Sequence, residues 1–284
     1  MIDIHGAITS TSFTAMNLTG GGRNTINIAD GARINSSSIT LNTEGHFNVI
    51  ENDGRLVSER ANAISFTGNI NTLTNNGIIE GRTNAVFISG TSNEVRNGGF
   101  MDAGLSTVLL NGHDNHFLNT GTVEGDDVGV RAVGTFGSMR NEGTVRGTLG
   151  AVEVDGATQF ELINTGTLAS AGGVTVKLDG GGSLVTLNNS GTIEAATSAG
   201  IVIVGGDGSE EIDNSGTIRG VANLGAGRDI FRNLGGGVVF GSIDGEGGND
   251  ALIGNGTAEV FYGGNGTDEL LLGSGHDKGF GEGD

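Results

Sequence analysis

Four acidic residues recur roughly every 20 residues in the C-terminal part of the chain, a spacing within the range of solenoid repeats. They are Glu210, Asp229, Asp250 and Asp268. If each starts a new turn of a repeating structure, their side chains stack about 5 Å apart. Stacked carboxylates repel one another, so such a column needs cations between its members. The spacing therefore predicts a cation-binding column.

The residues around these acids indicate which cation the column prefers. Phrases of the form Gly-x-Gly-x-acid-x-apolar occur approximately at 205–212, 225–231 and 247–252, and completely at 263–271. Glycine turns expose backbone carbonyls and the carboxylates add hard anionic oxygens, a flexible ligand set that favours calcium over magnesium or zinc. The predicted metal-site residues are Asp207, Glu210, Asp229, Gly248, Asn249, Asp250, Glu259, Gly264, Gly266, Asp268, Gly275 and Asp277.

The end of the chain also divides into units of nine residues, 245–253, 254–262, 263–271 and 272–280. With the phrase Gly263-Gly264-Asn265-Gly266-Thr267-Asp268, this region resembles the RTX (repeats-in-toxin) family. The resemblance is strong over 244–280 and partial over 205–231. It implies a β-roll in which each unit makes half a turn and calcium lies between alternate units. Asp250 would then pair with Asp268, and Glu259 with Asp277, on opposite edges.

The chain departs from the RTX pattern at two points. Glu246 replaces a motif glycine, and the second unit carries Glu259 in place of the family's aspartate, with Ala258 before it. We therefore expect the edge formed by Glu259 and Asp277 to bind calcium more weakly. From 241 to 284 there are nine acidic side chains and one lysine, a composition typical of a segment that folds when it binds cations.

The elements that would position these acids are set by a longer repeat. A glycine returns about every 22 residues, usually within Asn-x-Gly-x-Val/Ile, as in Asn119–Val123 and Asn141–Val145. A period of this length that tolerates small insertions is the signature of a stacked solenoid. The phrase also resembles, more loosely, those of β-helical passengers of bacterial adhesins and autotransporters over 6–240.

Each repeat contains short stretches of alternating apolar residues bounded by Gly, Asn and Asp, which predict about three short strands. Two residues after the repeat glycine the side chain is apolar in nine of eleven units, with Arg33 and Gly237 as exceptions. The sequence thus predicts an all-β, right-handed parallel β-helix over 1–240, continuing into an RTX-type β-roll over 241–284. Eleven rungs would make a rod on the order of 50 Å long.

Two sets of asparagines are expected to form hydrogen-bonded ladders inside this rod, since amides both donate and accept. The corner set is Asn52, Asn75, Asn97, Asn119, Asn141, Asn164, Asn189, Asn214 and Asn233. The second set lies four residues earlier and is Asn48, Asn71, Asn93 and Asn115. Because the acids beginning at Glu210 occupy the same position, the sequence predicts that this amide column turns into the carboxylate column.

Composition excludes several classes of protein and partner. Cysteine and proline are absent among the 284 residues, which excludes disulfides, cysteine metal sites and collagen. A net charge of −19 argues against nucleic acid and anionic membranes as partners. No apolar run is long enough to span a bilayer. The first six residues lack the basic start and apolar stretch of a signal peptide.

An enzyme is the alternative reading, because parallel β-helices also host polysaccharide lyases and epimerases. Candidate groups are Asp126, Asp127 and Asp155 near Arg131, and the stretch His113–His116. No Gly-x-Ser-x-Gly, His-Glu-x-x-His or phosphate-binding loop is present. The twelve phenylalanines are expected mostly at inward strand positions, leaving few rings to stack on sugars.

The sequence therefore predicts an extracellular, calcium-binding structural or adhesive module of a larger secreted bacterial protein. A cell-surface or matrix polysaccharide is a candidate partner. The RTX resemblance implies type I secretion, normally with a signal at the extreme carboxyl terminus, and that signal is not visible because this chain stops inside a repeat at 281–284. A second alternative is a fibre subunit, since no polar cap is evident at either end and uncapped solenoids can stack end to end.

Overall fold

The computed structural model describes residues 1–197 and 199–281 and contains β-strands and turns but no helix in that part of the chain. The chain winds as a parallel β-solenoid in which successive turns pair strand on strand. The predicted all-β parallel β-helix with about 22 residues per rung is confirmed. Residues 282–284 of the predicted unit 241–284, and of the repeat at 281–284, lie outside the described residues.

Three long parallel sheets form the walls, and each of the first eleven rungs contributes one strand to each sheet. Sheet 1 has thirteen strands, Ile2–Ile4, Thr25–Ile28, Val49–Asn52, Thr72–Asn75, Glu94–Asn97, His116–Asn119, Ser138–Asn141, Glu161–Asn164, Val185–Asn189, Glu210–Asn214, Ile230–Asn233, Ala251–Ile253 and Glu269–Leu271. Sheet 2 has eleven, Ala7–Ser10, Arg33–Ser36, Arg55–Ser58, Ile78–Gly81, Phe100–Ala103, Thr122–Gly125, Thr144–Gly147, Thr167–Ser170, Thr192–Glu194, Thr217–Arg219 and Val238–Phe240.

Sheet 3 again has thirteen strands, Met16–Leu18, Leu41–Thr43, Ile64–Phe66, Val86–Thr91, Ser106–His113, Val128–Thr135, Gly150–Asp155, Val176–Asp179, Ile201–Gly205, Val221–Asn223, Ile243–Asp244, Val260–Tyr262 and Lys278–Phe280. A fourth, two-stranded sheet pairs Ala226–Gly227 with Gly247–Gly248.

The rungs change shape after Phe240, where sheet 2 ends while sheets 1 and 3 continue. The first eleven rungs have three strands, and the two described turns after them have two. In these last turns Ala251 pairs with Glu269 and Val260 with Lys278, so each turn consists of two nine-residue units. One strand in each unit is the arrangement that the sequence predicted.

The core is a set of apolar stacks, because alternate residues of every strand point inward. In sheet 1 the stack runs from Ile26 through Phe117 to Leu252, all at most 2 % exposed. In sheet 2 the two exceptions to the apolar pattern are explained by a local shift of the inward residue relative to the repeat glycine. Ile34 and Val239, rather than Arg33 and Gly237, occupy the inward position there.

Candidate metal centre

Two polar columns run through the corners of the solenoid, and both change chemistry along the chain. Column 1 lies just before the strands of sheet 1, and its members are Asn24, Asn48, Asn71, Asn93, Asn115, Gly137, Phe160, Val185, Glu210, Asp229, Asp250 and Asp268. Column 2 begins at the end of those strands with the nine corner asparagines, and it continues with Glu259 and Asp277, which directly precede the last two strands of sheet 3.

The amide part of column 1 uses two donors per step. The backbone N–H and the Nδ2 of Asn48 both donate to Oδ1 of Asn71, each at 2.9 Å. Asn71 repeats both bonds to Asn93, at 2.8 and 3.1 Å. The column therefore satisfies its buried amides internally, as the sequence predicted, and Asn24 extends it by one rung.

The acidic part of column 1 keeps the backbone half of this pattern. The N–H of Glu210 donates to Asp229 Oδ1 at 2.8 Å, that of Asp229 to Asp250 Oδ1 at 2.9 Å, and that of Asp250 to Asp268 Oδ1 at 3.0 Å. Where the asparagines have a second donor, these residues have a second oxygen. In each acidic rung a carboxylate oxygen therefore stands where the Nδ2 donor of an asparagine stands in the amide part of the column.

Those second oxygens have no hydrogen-bond partner among residues 1–197 and 199–281. Glu210 Oε2, Asp229 Oδ2 and Asp250 Oδ2 are buried and unpartnered, and so is Glu259 Oε2 of column 2. The four residues are at most 2 % exposed. A buried carboxylate oxygen without a partner is costly, so each requires a proton or a cation beside it.

Glycines hold a backbone carbonyl close to several of these oxygens. A β-carbon added to Gly245 would collide with both Asp250 Oδ2 and the carbonyl oxygen of Gly263. A β-carbon on Gly254 would lie 3.0 Å from Glu259 Oε2 and would collide with the carbonyl oxygen of Leu272. Because glycine has no side chain, a carboxylate oxygen and a carbonyl oxygen from the next turn can approach each other. Oxygens arranged in this way are typical ligands of a hard cation.

Burial and mutual repulsion raise the pKa of the carboxyls in column 1. Burial, followed by repulsion from Asp229, raises the pKa of Glu210 to about 9. Burial raises the pKa of Asp229 to about 6 against the opposing effect of the Glu210 N–H. The pKa of Asp250 is also raised, first by burial and then by Asp268 and Asp244. Protons and cations would therefore compete for the same column.

Column 2 joins its amide ladder directly to an acid. Its asparagines are linked Nδ2 to Oδ1 at 2.7–2.8 Å, and Asn233 Nδ2 donates to Glu259 Oε1 at 2.8 Å. Thr257 Oγ1 also donates to Glu259 Oε1. The Glu259 N–H in turn donates to Asp277 Oδ1 at 3.0 Å. Glu259 is thus the successor of the corner asparagines, 26 residues after Asn233.

The other predicted site residues are placed as follows. Asp268 and Asp277 are half-buried at the last turn of each column, whereas Asp207 is exposed beside an open hollow lined by Asp179 and Glu246. Asn249 Oδ1 accepts the N–H of Thr267 at 2.8 Å. Gly275 stacks against the carbonyl of Thr257. No group of three or more His, Cys, Asp or Glu side chains converges on one point among residues 1–197 and 199–281.

Gly248, Gly264 and Gly266 have backbone angles that favour glycine. Their φ values are +142°, +89° and +136°. β-Carbons on Gly248 and Gly266 would collide with the carbonyls of Gly227 and Gly248, one turn earlier. These positions require glycine because the stacked carbonyls leave no room for a side chain.

Sequence reasoning missed the interruption in column 1. Between Asn115 and Glu210 the column holds Gly137, Phe160 and Val185, so the amides do not pass directly into the acids. Asn115 Nδ2 instead donates to the carbonyls of Gly90 and Asn111. The signal was available, because position four before each corner asparagine is apolar or glycine in those three rungs.

The residues considered for catalysis are separated by the fold. Asp155 pairs with Arg131 on the outer face of sheet 3, and this hydrogen bond lowers the pKa of Asp155. His116 contacts Ser138 Oγ at 2.7 Å and Asp114 Oδ1 at 3.1 Å on an exposed corner. Asp127 follows Asp126 at the corner after sheet 2, where its carbonyl accepts the Leu149 N–H.

A groove of about 790 Å³ crosses the outer face of sheet 2 and was not expected. It is lined in part by Asp102, Glu124, Asp126, Arg146 and Glu194. Burial, then repulsion from Asp126 and Glu124, raises the pKa of Asp102.

The expectation that most phenylalanines point inward is wrong. Five of the twelve are buried, and another five are exposed at corners or ends, namely Phe13, Phe47, Phe136, Phe240 and Phe280. The period-two pattern of the strands does not extend to corner residues, which is why alternation misplaced them.

Comparisons with known proteins identify no relative, so any functional conclusion depends on the geometry described above. A scan against protein-family models finds no match, and searches of curated proteins and of solved structures find none either. Over 1–197 and 199–281, no helix is long and apolar enough to cross a membrane. The structure is that of a β-solenoid repeat protein in which both columns become acidic in the C-terminal turns.

Proposed function

We propose that this protein is a calcium-stabilised structural or adhesive β-solenoid module of a secreted bacterial protein. The observation that carries the proposal is the set of buried carboxylate oxygens without partners, two of which, on Asp250 and Glu259, lie in the two-strand turns. Both lie beside a backbone carbonyl of the following turn. The residues present therefore fit a hard cation with oxygen ligands.

Asp250 with Asp268, and Glu259 with Asp277, would hold calcium between successive turns. Bound calcium supplies positive charge that offsets the repulsion of carboxylates stacked one turn apart. The carboxylates already accept backbone N–H bonds from the preceding turn, so they also tie each two-strand turn to its neighbour. Calcium binding would thus be coupled to folding of the last turns.

This coupling fits the RTX-like route of secretion and an extracellular location. In the low calcium of a cytosol the acidic turns would repel one another and stay open. In the high calcium outside the cell they would close onto the eleven three-strand rungs. Those rungs would supply the rigid surface for a partner such as a cell-surface or matrix polysaccharide.

The test is a calcium titration of the full chain followed by circular dichroism and hydrogen exchange. We expect a gain of β-signal and new amide protection over about 241–281. The variant D250N/D268N should lose most of this response, because it removes both charges of one calcium-binding pair. Asp213→Asn is the matched control, since Asp213 is an acid of the same sheet that pairs with Arg232 on the surface. Absence of any calcium-dependent change in the unaltered chain would refute the proposal.

A carbohydrate-active enzyme is the second candidate, and the sheet 2 groove is the observation that favours it. A carboxyl with a raised pKa beside other carboxyl groups is the arrangement of acid and base in glycoside cleavage. Asp102 would be the acid, with Glu124 or Asp126 as the base. A panel of uronate polysaccharides, read by new reducing ends as well as by unsaturation and epimerisation, should show turnover that Asp102→Asn abolishes. No turnover by the unaltered chain rejects this candidate.

A further inference from the structure

We propose that a further divalent-cation site lies inside the three-strand part of the β-helix, between Glu210 and Asp229. These residues stand 19 residues apart, before the change to two-strand turns. The inference extends the proposed function by one site in the three-strand part of column 1, and it rests on that function for calcium as the ligand.

The first support is an uncompensated buried charge. Glu210 is 1 % exposed and Asp229 0 %, and the outer oxygen of each has no hydrogen-bond partner. None of the ion pairs between described residues involves either carboxylate. The nearby Arg232 is engaged on the outer face by Glu211 and Asp213. Two carboxyl groups buried one above the other in this way need a proton or a cation between them, and a divalent cation would neutralise both.

The second support is a carbonyl aimed at the same place. A β-carbon on Gly205 would lie 2.7 Å from Glu210 Oε2 and would collide with the carbonyl oxygen of Leu224. This cradle repeats the one formed by Gly245, Asp250 and Gly263 in the two-strand turns. The site therefore offers oxygens from Glu210, Asp229 and the Leu224 carbonyl, which is a ligand set for a hard cation such as Ca²⁺.

The third support is that the position is closed at its inner end. Val185 precedes Glu210 in column 1 and is fully buried, with Phe160 one rung earlier. The Glu210 carboxylate accepts only a long bond, 3.4 Å, from the Gly206 N–H. An ion held there would lie at the first acidic rung of column 1, next to the buried apolar side chains of the preceding rungs.

The experiment counts calcium ions on the full chain by equilibrium dialysis and native mass spectrometry at neutral pH. The variant E210Q/D229N replaces the acids with amides, which the same column already carries at Asn48 and Asn71, so it should fold. We expect it to bind one calcium fewer than the unaltered chain. The variant D268N/D277N removes acids only from the two-strand turns and should keep the ion at Glu210. Asp213→Asn should leave the count unchanged.

Each outcome separates this site from the proposed function. An unchanged count in E210Q/D229N overturns the site at Glu210 and leaves the calcium-bound turns standing. A loss of one ion there, with no loss in D268N/D277N, supports this site and refutes the proposed function. No calcium on the unaltered chain refutes both. If the double variant is poorly folded by circular dichroism, Glu210→Gln alone repeats the count.

Discussion

The amide and acidic parts of column 1 share one backbone hydrogen bond but close their corners differently. In both parts a backbone N–H donates to a side-chain oxygen one rung later. Before Asn48, Asn71 and the other amides, the preceding residue is left-handed, as in Phe47 (φ 59°) and Ile70 (φ 58°). Before Asp229, Asp250 and Asp268, the residue with positive φ is a glycine two positions earlier, as in Gly248.

The difference shows how one solenoid carries two chemistries. The side chains of the amide column pair with one another as donors and acceptors, so its corner accepts almost any residue before the asparagine. An acidic column leaves an oxygen facing an oxygen, and its corner is built from glycines whose carbonyls crowd the next turn. The glycine-rich phrase is therefore a property of the corner that an acid needs, and it accounts for the motif seen in the sequence.

The largest effect should come from moving an acid into the amide column. Asn71→Asp replaces the Nδ2 donor to Asn93 with an oxygen at a position 1 % exposed. An uncompensated buried charge costs about 3–5 kcal/mol, so the free energy of unfolding should fall by that order. Urea unfolding measures it, and the exposed Asn111→Asp should change it by less than about 0.5 kcal/mol. Equal stability of the two variants would show that the amide column tolerates charge without a counter-ion.

A smaller effect is expected from the glycine corner of the acidic column. Gly248→Ala places a β-carbon against the Gly227 carbonyl at φ +142°, so the backbone must shift. We expect a loss of about 1–3 kcal/mol in calcium, together with weaker calcium binding. Gly247→Ala is the matched control, because nothing lies within 4 Å of its added carbon. If both alanines behave alike, crowding at the corner is not what requires glycine.

These contrasts also explain what the sequence could and could not reveal. The rungs, the corner ladder and the Asp250–Asp268 spacing were predictable, because each rests on a residue type repeated at a fixed interval. The succession from Asn233 to Glu259 was not, because the change from three strands to two alters the interval to 26 residues. The groove on sheet 2 was also missed, since its acids come from separate rungs and share no local motif.

The two parts should differ in their response to pH when calcium is absent. The pKa of Glu210 is about 9 in the folded chain and near 4.5 when unfolded. The folded state therefore holds a proton that the unfolded state releases between those values. The resulting stability is complete below about pH 4.5 and is lost as pH rises towards 9. One proton gives a slope of at most about 1.4 kcal/mol per pH unit.

Hydrogen exchange makes this a comparison within one molecule. The N–H of Glu210 and the N–H of Asn71 both donate to a column oxygen. After correction for intrinsic rates, protection of Glu210 should fall relative to Asn71 between about pH 5 and 9, and calcium should abolish the fall. A constant ratio without calcium would show that the acidic column holds no proton.

The smallest effect tests the left-handed corner of the amide column. Ile70 is a β-branched residue at φ 58°, a conformation that costs about 1–2 kcal/mol for most residues but less for asparagine. Its side chain is 48 % exposed, so little packing is lost when it is replaced. Ile70→Asn should therefore raise the free energy of unfolding by about 1 kcal/mol. In the acidic column, where the residue before Asp268 is not left-handed, Thr267→Asn should give no comparable gain in calcium. A similar gain at both sites would mean that the two corners do not differ in strain, and that the glycines before the acids serve only to expose carbonyls to the cation.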